Sequence, residues 1–295
     1  MKRLLRRCLL LSTCLAASAV LAETRITILT DAFGKPDSRL ARDWGYSALV
    51  EHEGKRILFD TGNNAEIFEQ NVEALKIDLA RLDAVVISHR HGDHTAGLHY
   101  LHRVNPYVQI FVPADEHFGG PTPAAFFRRK DESLPPEMRY FGGKTPHVVP
   151  HGSAWRGFSF VIVDKPTEII AGMRVIPAIS KSVGTMELQE LSLSVQTQAG
   201  QIVLVGCSHP GILNIVEAAA PFDPRIRLVV GGLHLVTTDE TEVQRIGTDL
   251  RNKWRVQQIA PGHCTGEHAF AVLKRMFGDQ YIHAGVGTVI EPRLE

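Results

Sequence analysis

Along the chain, short apolar runs are followed by longer segments whose apolar positions recur every three or four residues. The short runs predict strands at Arg25–Thr30, Arg56–Asp60, Ala84–Ser88, Tyr107–Val112, Phe158–Val163, Leu191–Thr197, Ile202–Gly206, Ile226–Gly231 and Gln257–Ala260. The longer segments predict helices at Ala65–Lys76, Thr95–Arg103, Gly211–Ala220, Thr241–Lys253 and Glu267–Phe277. Leu191-Ser192-Leu193-Ser194-Val195 alternates apolar with polar, which predicts an antiparallel strand buried on one face only. Strands grouped together, then helices, then the same again, fit two packed sheets with helices outside, an α+β arrangement. The stretch Pro113–Trp155 breaks the pattern. It is rich in Gly, Pro, Phe and Arg and has no period, so it reads as an insertion in one domain spanning residues 23–295.

Composition adds little to the fold but narrows the function. The 295 residues are 44% hydrophobic and 22% charged, with 32 basic and 32 acidic side chains, a balance that does not point to a nucleic-acid binder. Residues 1–22 stand apart. Lys2, Arg3, Arg6 and Arg7 precede an apolar stretch from Cys8 to Val20, and Val20-Leu21-Ala22 supplies a small-residue cleavage site. That is the pattern of a secretory signal peptide, with an apolar stretch too short for a comfortable membrane span, so the expected location is periplasmic or secreted. Cys14 in Leu11-Ser12-Thr13-Cys14 leaves lipoprotein anchoring as the minor alternative. Cleavage leaves 28 basic against 32 acidic residues, a net charge of −4, and two cysteines, Cys207 and Cys264. Each lies beside a candidate metal ligand, which makes a structural disulfide the weaker reading.

The candidate chemistry starts where the strand Ala84–Ser88 ends. His89, His91, Asp93 and His94 follow within six residues, a density that packing does not explain. Every second side chain after a strand end faces one cleft, which brings His89 and His91 together. Imidazole and carboxylate donors without a thiolate cluster suit a catalytic site for zinc, iron or manganese rather than a closed structural zinc site.

The pattern His-x-His-x-Asp-His after an apolar strand resembles the signature of the metallo-β-lactamase superfamily. Leu58-Phe59-Asp60-Thr61-Gly62 is similar to its first motif. Gly206-Cys207-Ser208-His209-Pro210-Gly211, Gly231-Gly232-Leu233-His234-Leu235 and Pro261-Gly262-His263-Cys264-Thr265-Gly266 resemble the dihydropterin–ribofuranosylaminobenzene phosphate synthase-like branch. The likeness runs from about Arg25 to Gly287. It implies an αββα sandwich with one or two divalent cations at one edge of the sheets. It also implies one cation on His89, His91 and His209, and another on Asp93, His94 and His263, with Asp60 supporting the ligands from behind. Both His209 and His263 follow strands, which agrees with the reading from the residues alone.

One departure is visible. Met186-Glu187-Leu188-Gln189-Glu190-Leu191-Ser192 has no histidine where many relatives carry a further ligand, so Cys207 as thiolate or Glu190 as carboxylate is a possible extra ligand. His234 reads as a ligand, a substrate contact or a general acid, and equally as a turn-shaping histidine. Lys144, with Phe118, Phe126, Phe127 and Phe141 in the insertion, is the expected contact for a flat, anionic small-molecule substrate.

A divalent cation lowers the pKa of bound water from 15.7 toward ~7, which yields a hydroxide nucleophile oriented by Asp93. The expected activity is hydrolysis of a small phosphoester, lactone or thioester. The alternatives are a transferase like the synthases of the named branch, or a non-catalytic metal-containing ligand-binding protein.

Overall fold

The computed structural model describes residues 24–35, 39–119, 131–144, 155 and 157–292. The expected signal peptide, most of residues 120–154, and with them Phe126, Phe127, His147 and His151, lie outside the described residues. Among the described residues no helix is long and apolar enough to cross a membrane.

Among the described residues thirteen strands form two sheets, and the longer, central ones carry apolar side chains on both faces. The first sheet holds β1 (Arg25–Thr30), β2 (Ser47–His52), β3 (Lys55–Phe59), β4 (Ala84–Val86), β5 (Ile110–Pro113), β6 (Phe160–Val163) and β13 (Val289–Ile290), in the order β13-β1-β2-β3-β4-β5-β6. The second holds β7 (Thr167–Ile170), β8 (Met173–Ile179), β9 (Gln189–Thr197), β10 (Gly200–Val205), β11 (Ile226–Gly232) and β12 (Gln258–Gly262), in the order β12-β11-β10-β9-β8-β7. One side of each sheet, with Ile26, Ile28, Val50, Ile57, Phe59 and Val86 facing Leu191, Leu193, Val195, Leu204 and Val230, forms the central core. The alternate residues Leu29, Leu49, Leu58 and Val85 pack outward with Phe68 and Val72 of α1 (Ala65–Ala74) and Leu101 of α3 (Leu98–Val104). On the other flank, Val203, Val205 and Val229 pack with residues of α4 (Ile212–Ala219), α5 (Glu240–Thr248) and α6 (Glu267–Phe277). The layers are therefore helix, sheet, sheet, helix, as expected. Each large side chain fully buried in them contributes about 1.5–3 kcal/mol.

Both sheets are mixed. In the first, β13, β1, β2 and β3 pair antiparallel, while β3, β4, β5 and β6 pair parallel. In the second, β7 to β10 pair antiparallel, and β10, β11 and β12 parallel. The parallel halves matter most for function, because parallel neighbours end on the same edge.

Some local expectations change. The strand with alternating serines, β9, is buried on both faces. Ser192 donates to the Ile176 carbonyl at 3.3 Å and Ser194 to Gln201 Oε1 at 2.6 Å, so hydrogen bonds inside the fold replace the solvent expected on that side. The helix expected at Thr95–Arg103 is two pieces, α2 (Gly92–Thr95) and α3, so Asp93 and His94 lie inside the first turn rather than ahead of it. Within the segment expected to be an insertion, Phe118 stacks on Trp155 with centroids 5.1 Å apart, and it meets the Phe160 ring at 5.7 Å. These rings pack against the outer core of the first sheet, and Phe118 and Phe160 also line an open cavity with Val112, Asp115 and Ile162.

Candidate metal centre

The site is assembled by the carboxyl ends of the parallel strands, the edge where open α/β sheets place their ligands. Asp60 follows β3, Ser88 to His91 follow β4, Cys207 to His209 follow β10, His234 follows β11, and His263 and Cys264 follow β12. The two sheets are joined at this edge by the Leu191 amide, which donates to the Ser88 carbonyl at 2.7 Å. Gly206 makes the close approach possible, since a Cβ there would collide with Ser88 Oγ and crowd Asp60. Asp60, Ser208, His234 and His263 all adopt left-handed backbone conformations, with φ of 58°, 63°, 52° and 47°. Such strain in non-glycine residues tends to gather where geometry serves a site.

Three-donor groups result. His89, His91 and His209 present ligand atoms all within 4.8 Å of one another, and so do Asp93, His94 and His263. In the second group His263 Nε2 lies 3.4 Å and His94 Nε2 3.8 Å from Asp93 Oδ2. The groups adjoin, with the His89 and His94 rings 4.2 Å apart. Cys207 sits at the seam, its Sγ 3.2 Å from His94 Nε2 and grouped with His89 as well.

Behind the donors lies a fixed frame. Asp60 is fully buried and accepts from the Ser88 amide at 2.6 Å, from Ser88 Oγ at 2.7 Å and from His94 Nδ1 at 2.7 Å. Ser88 Oγ also contacts His89 Nδ1 at 2.9 Å, so one carboxylate orients two imidazoles. Arg90, between two donors, pairs with Asp115 just after β5 and donates to the Thr185 carbonyl at 2.6 Å.

Burial and neighbouring imidazoles push His89 well below its ordinary range and His209 down to about 3, which leaves neutral rings with free lone pairs, the form that ligates metals. Burial works against protonation of His94 too, but Asp60 beside it outweighs that and lifts it to about 9, so a cation entering there competes with a proton. Burial opposes ionisation of Asp93, yet the neighbouring imidazoles of His263 and His94 hold its carboxyl well below the usual range. A divalent cation fits these residues. His209 Nε2 and both ring nitrogens of His263 are buried without any hydrogen-bond partner, a costly state for a polar atom that a bound cation would relieve.

The other sequence candidates fall in different places. Glu190, weighed as an extra ligand, instead turns to the backbone. Its Oε1 accepts from the amides of Cys207 at 2.9 Å and Ser208 at 2.7 Å, and its Oε2 from the His209 amide at 2.8 Å. It braces the loop and joins none of the donor groups among the described residues. Burial pushes its carboxyl up, and the three amides pull it back only in part. His234 is exposed at the mouth, its ring 4.3 Å from that of His209. Lys144 is exposed, and its backbone amide closes a turn onto the Phe141 carbonyl. Cys207 and Cys264 are both free thiols.

One contributor was expected in a different role and another was missed. Glu190 showed only as a candidate ligand, and Asp31, whose Oδ2 accepts from the His263 amide at 3.0 Å, was not singled out at all. Burial pushes the Asp31 carboxyl up to about 7. The available signal was its place directly after a strand, the same place Asp60 occupies.

Comparison with known proteins points the same way. Residues 44–178 match the model of the metallo-beta-lactamase superfamily. The chain is 26% identical over 291 residues to a 7,8-dihydropterin-6-methyl-4-(beta-D-ribofuranosyl)-aminobenzene-5'-phosphate synthase of Methanocaldococcus jannaschii, covering 88% of this chain and 95% of that one. A solved metal-dependent hydrolase of the beta-lactamase superfamily superposes with a TM-score of 0.67 at 27% identity, covering 91% of this chain and 98% of that one. The metallo-beta-lactamase fold protein YhfI from Bacillus subtilis superposes at 0.58 with 13% identity, over 91% of this chain and 99% of its own, a likeness of fold alone.

Proposed function

Because this chain is a metallo-β-lactamase superfamily protein, we propose that it is a metal-dependent hydrolase of a small phosphoester, lactone or thioester. The observation that carries this is the pair of adjoining three-donor groups, His89–His91–His209 and Asp93–His94–His263, with buried ring nitrogens left unpartnered. When bound, one or two divalent cations, zinc first and iron or manganese as alternatives, supply Lewis acidity to the bond under attack and acidify water.

The chain's own residues do the rest. Asp60 holds the Nδ1 proton of His94 and, through Ser88, the orientation of His89. Asp93 is the carboxylate at the opening, its side chain 19% exposed, and as a fully ionised acceptor it orients the attacking water. His234, exposed beside His209, meets the substrate as it enters. Export belongs to the same proposal and rests on residues 1–22 alone.

The test is metal analysis of the purified protein together with turnover of aryl phosphodiesters, lactones and thioesters. Near-stoichiometric metal, and loss of turnover in His91→Ala and Asp93→Ala, are expected. Full activity after metal removal would overturn the proposal. The likeness to the pterin-related synthase keeps a transferase as the second reading. A dedicated transferase would leave every hydrolytic substrate intact.

A further inference from the structure

Beside the nitrogen and carboxylate donors lies a cluster with different chemistry. The loops after β10, β11 and β12, three consecutive strands of the second sheet, bring Cys207, His234 and Cys264 together, their donor atoms all within 4.8 Å of one another. We propose that these three residues form a further, sulfur-rich cation site that takes a thiophilic divalent cation such as zinc and shares Cys207 with the neighbouring groups. The proposal rests on the reading of the cluster as a metal centre and adds to it a third position with a softer donor set.

Buried cysteines are ordinarily small apolar side chains packed among others. These two are not placed so. Cys207 Sγ faces His94 Nε2 at 3.2 Å, and Cys264 Sγ lies 3.6 Å from the Cys207 carbonyl and within 4.8 Å of the Cys207 and His234 donor atoms. Both are free, so no disulfide accounts for their approach.

Backbone contacts set the donors in place independently of any cation. Glu190 accepts from the amide of Cys207, the Leu233 amide donates to Thr265 Oγ1 at 3.0 Å, and the Val236 amide donates to the Cys264 carbonyl at 3.3 Å. The loops carrying His234 and Cys264 are thus tied to each other on both sides. Tetrahedral zinc with bonds of ~2.3 Å to sulfur needs donor separations of about 3.8 Å. The cluster is close enough to close on an ion by side-chain rotation. His234 is exposed, which gives an ion a way in. Two thiolates favour zinc, cobalt or iron over manganese or magnesium, which prefer oxygen donors.

Cobalt(II) substitution tests the site without relying on activity. Equilibrium dialysis counts cobalt per chain, and near-ultraviolet thiolate-to-cobalt absorption reports sulfur bonding. The wild-type chain is expected to take up three cobalt ions with a strong thiolate band. Cys264→Ser should lose one ion and about half of the band. His234→Asn should also lose one ion, and it is the safer variant, because its side chain is exposed and Asn accepts the left-handed backbone there. Two ions in the wild type, with neither variant changing the count or the band, would sink the third site and leave the other two standing. No cobalt bound at all would sink the metal centre itself.

Discussion

Replacing Glu190 by Gln should loosen the loop that carries Cys207 and His209 while leaving the fold intact. The carboxylate accepts three buried amides, two on Oε1 and one on Oε2. A glutamine keeps one acceptor oxygen. Turned toward Cys207 and Ser208, it preserves two bonds, but its amide nitrogen then faces the His209 amide, donor against donor. One unsatisfied buried donor costs about 1–3 kcal/mol. The smaller desolvation cost of a neutral side chain offsets part of this, and the misplaced NH2 adds to it, so a net loss of about 1–3 kcal/mol is expected. His209 should also lose its alignment, and disturbing a group that orients a ligand lowers metal affinity roughly 10–100-fold. Denaturant unfolding of chelator-treated protein isolates the first effect from the stabilisation that bound metal provides. Competition with a chromophoric chelator reads the second. If Glu190→Gln matched the wild type in both measurements, the bracing role would be wrong.

Asp60→Asn should weaken metal binding by roughly 10–100-fold with little change in secondary structure, since Asn cannot satisfy both His94 and Ser88; metal titration followed by circular dichroism checks this, and unchanged affinity would refute the orienting role. Gly206→Ala should lower the melting temperature and metal content together, because the new Cβ collides with Ser88 Oγ where the sheets meet; a fully stable, fully loaded variant would contradict that close approach. Asp223, held by Arg225 and Gln196, has a pKa lowered to about 2, chiefly by its hydrogen bond to Arg225. Its folded value lies below the unfolded one of about 3.9, so its stabilisation is present above pH ~4 and disappears as pH falls through the folded value. Unfolding of Asp223→Asn across that range should show a shallower acid limb than the wild type, and identical limbs would count against the ion pair.

The densest part of the centre was legible in the chain itself. His89, His91, Asp93 and His94 lie on six consecutive positions after an apolar strand, so a single local conformation gathers them. The core strands were legible for a similar reason, because a two-residue period reports which faces a strand buries. Short or irregular strands such as β7 and β13 carry too few residues for a period to show, and β2 escaped although its residues are buried. Local pattern also misjudged the serine face of β9, since a polar side chain paired inside the fold looks the same in sequence as one facing water.

What only the tertiary structure decided is which strand ends share an edge. Cys207 contacts His94 across 113 residues, and Asp31 meets His263 across 232. Periodicity says which side of a strand is buried but not which strand lies next to it. The order of the sheets and the parallel pairing of β10, β11 and β12 therefore settled the partners of His209, His234, His263 and Cys264. Glu190 shows the difference most plainly: in the sequence it is a carboxylate near candidate ligands, and in the fold its oxygens are claimed by three amides that only the adjacency of β9 and β10 brings within reach.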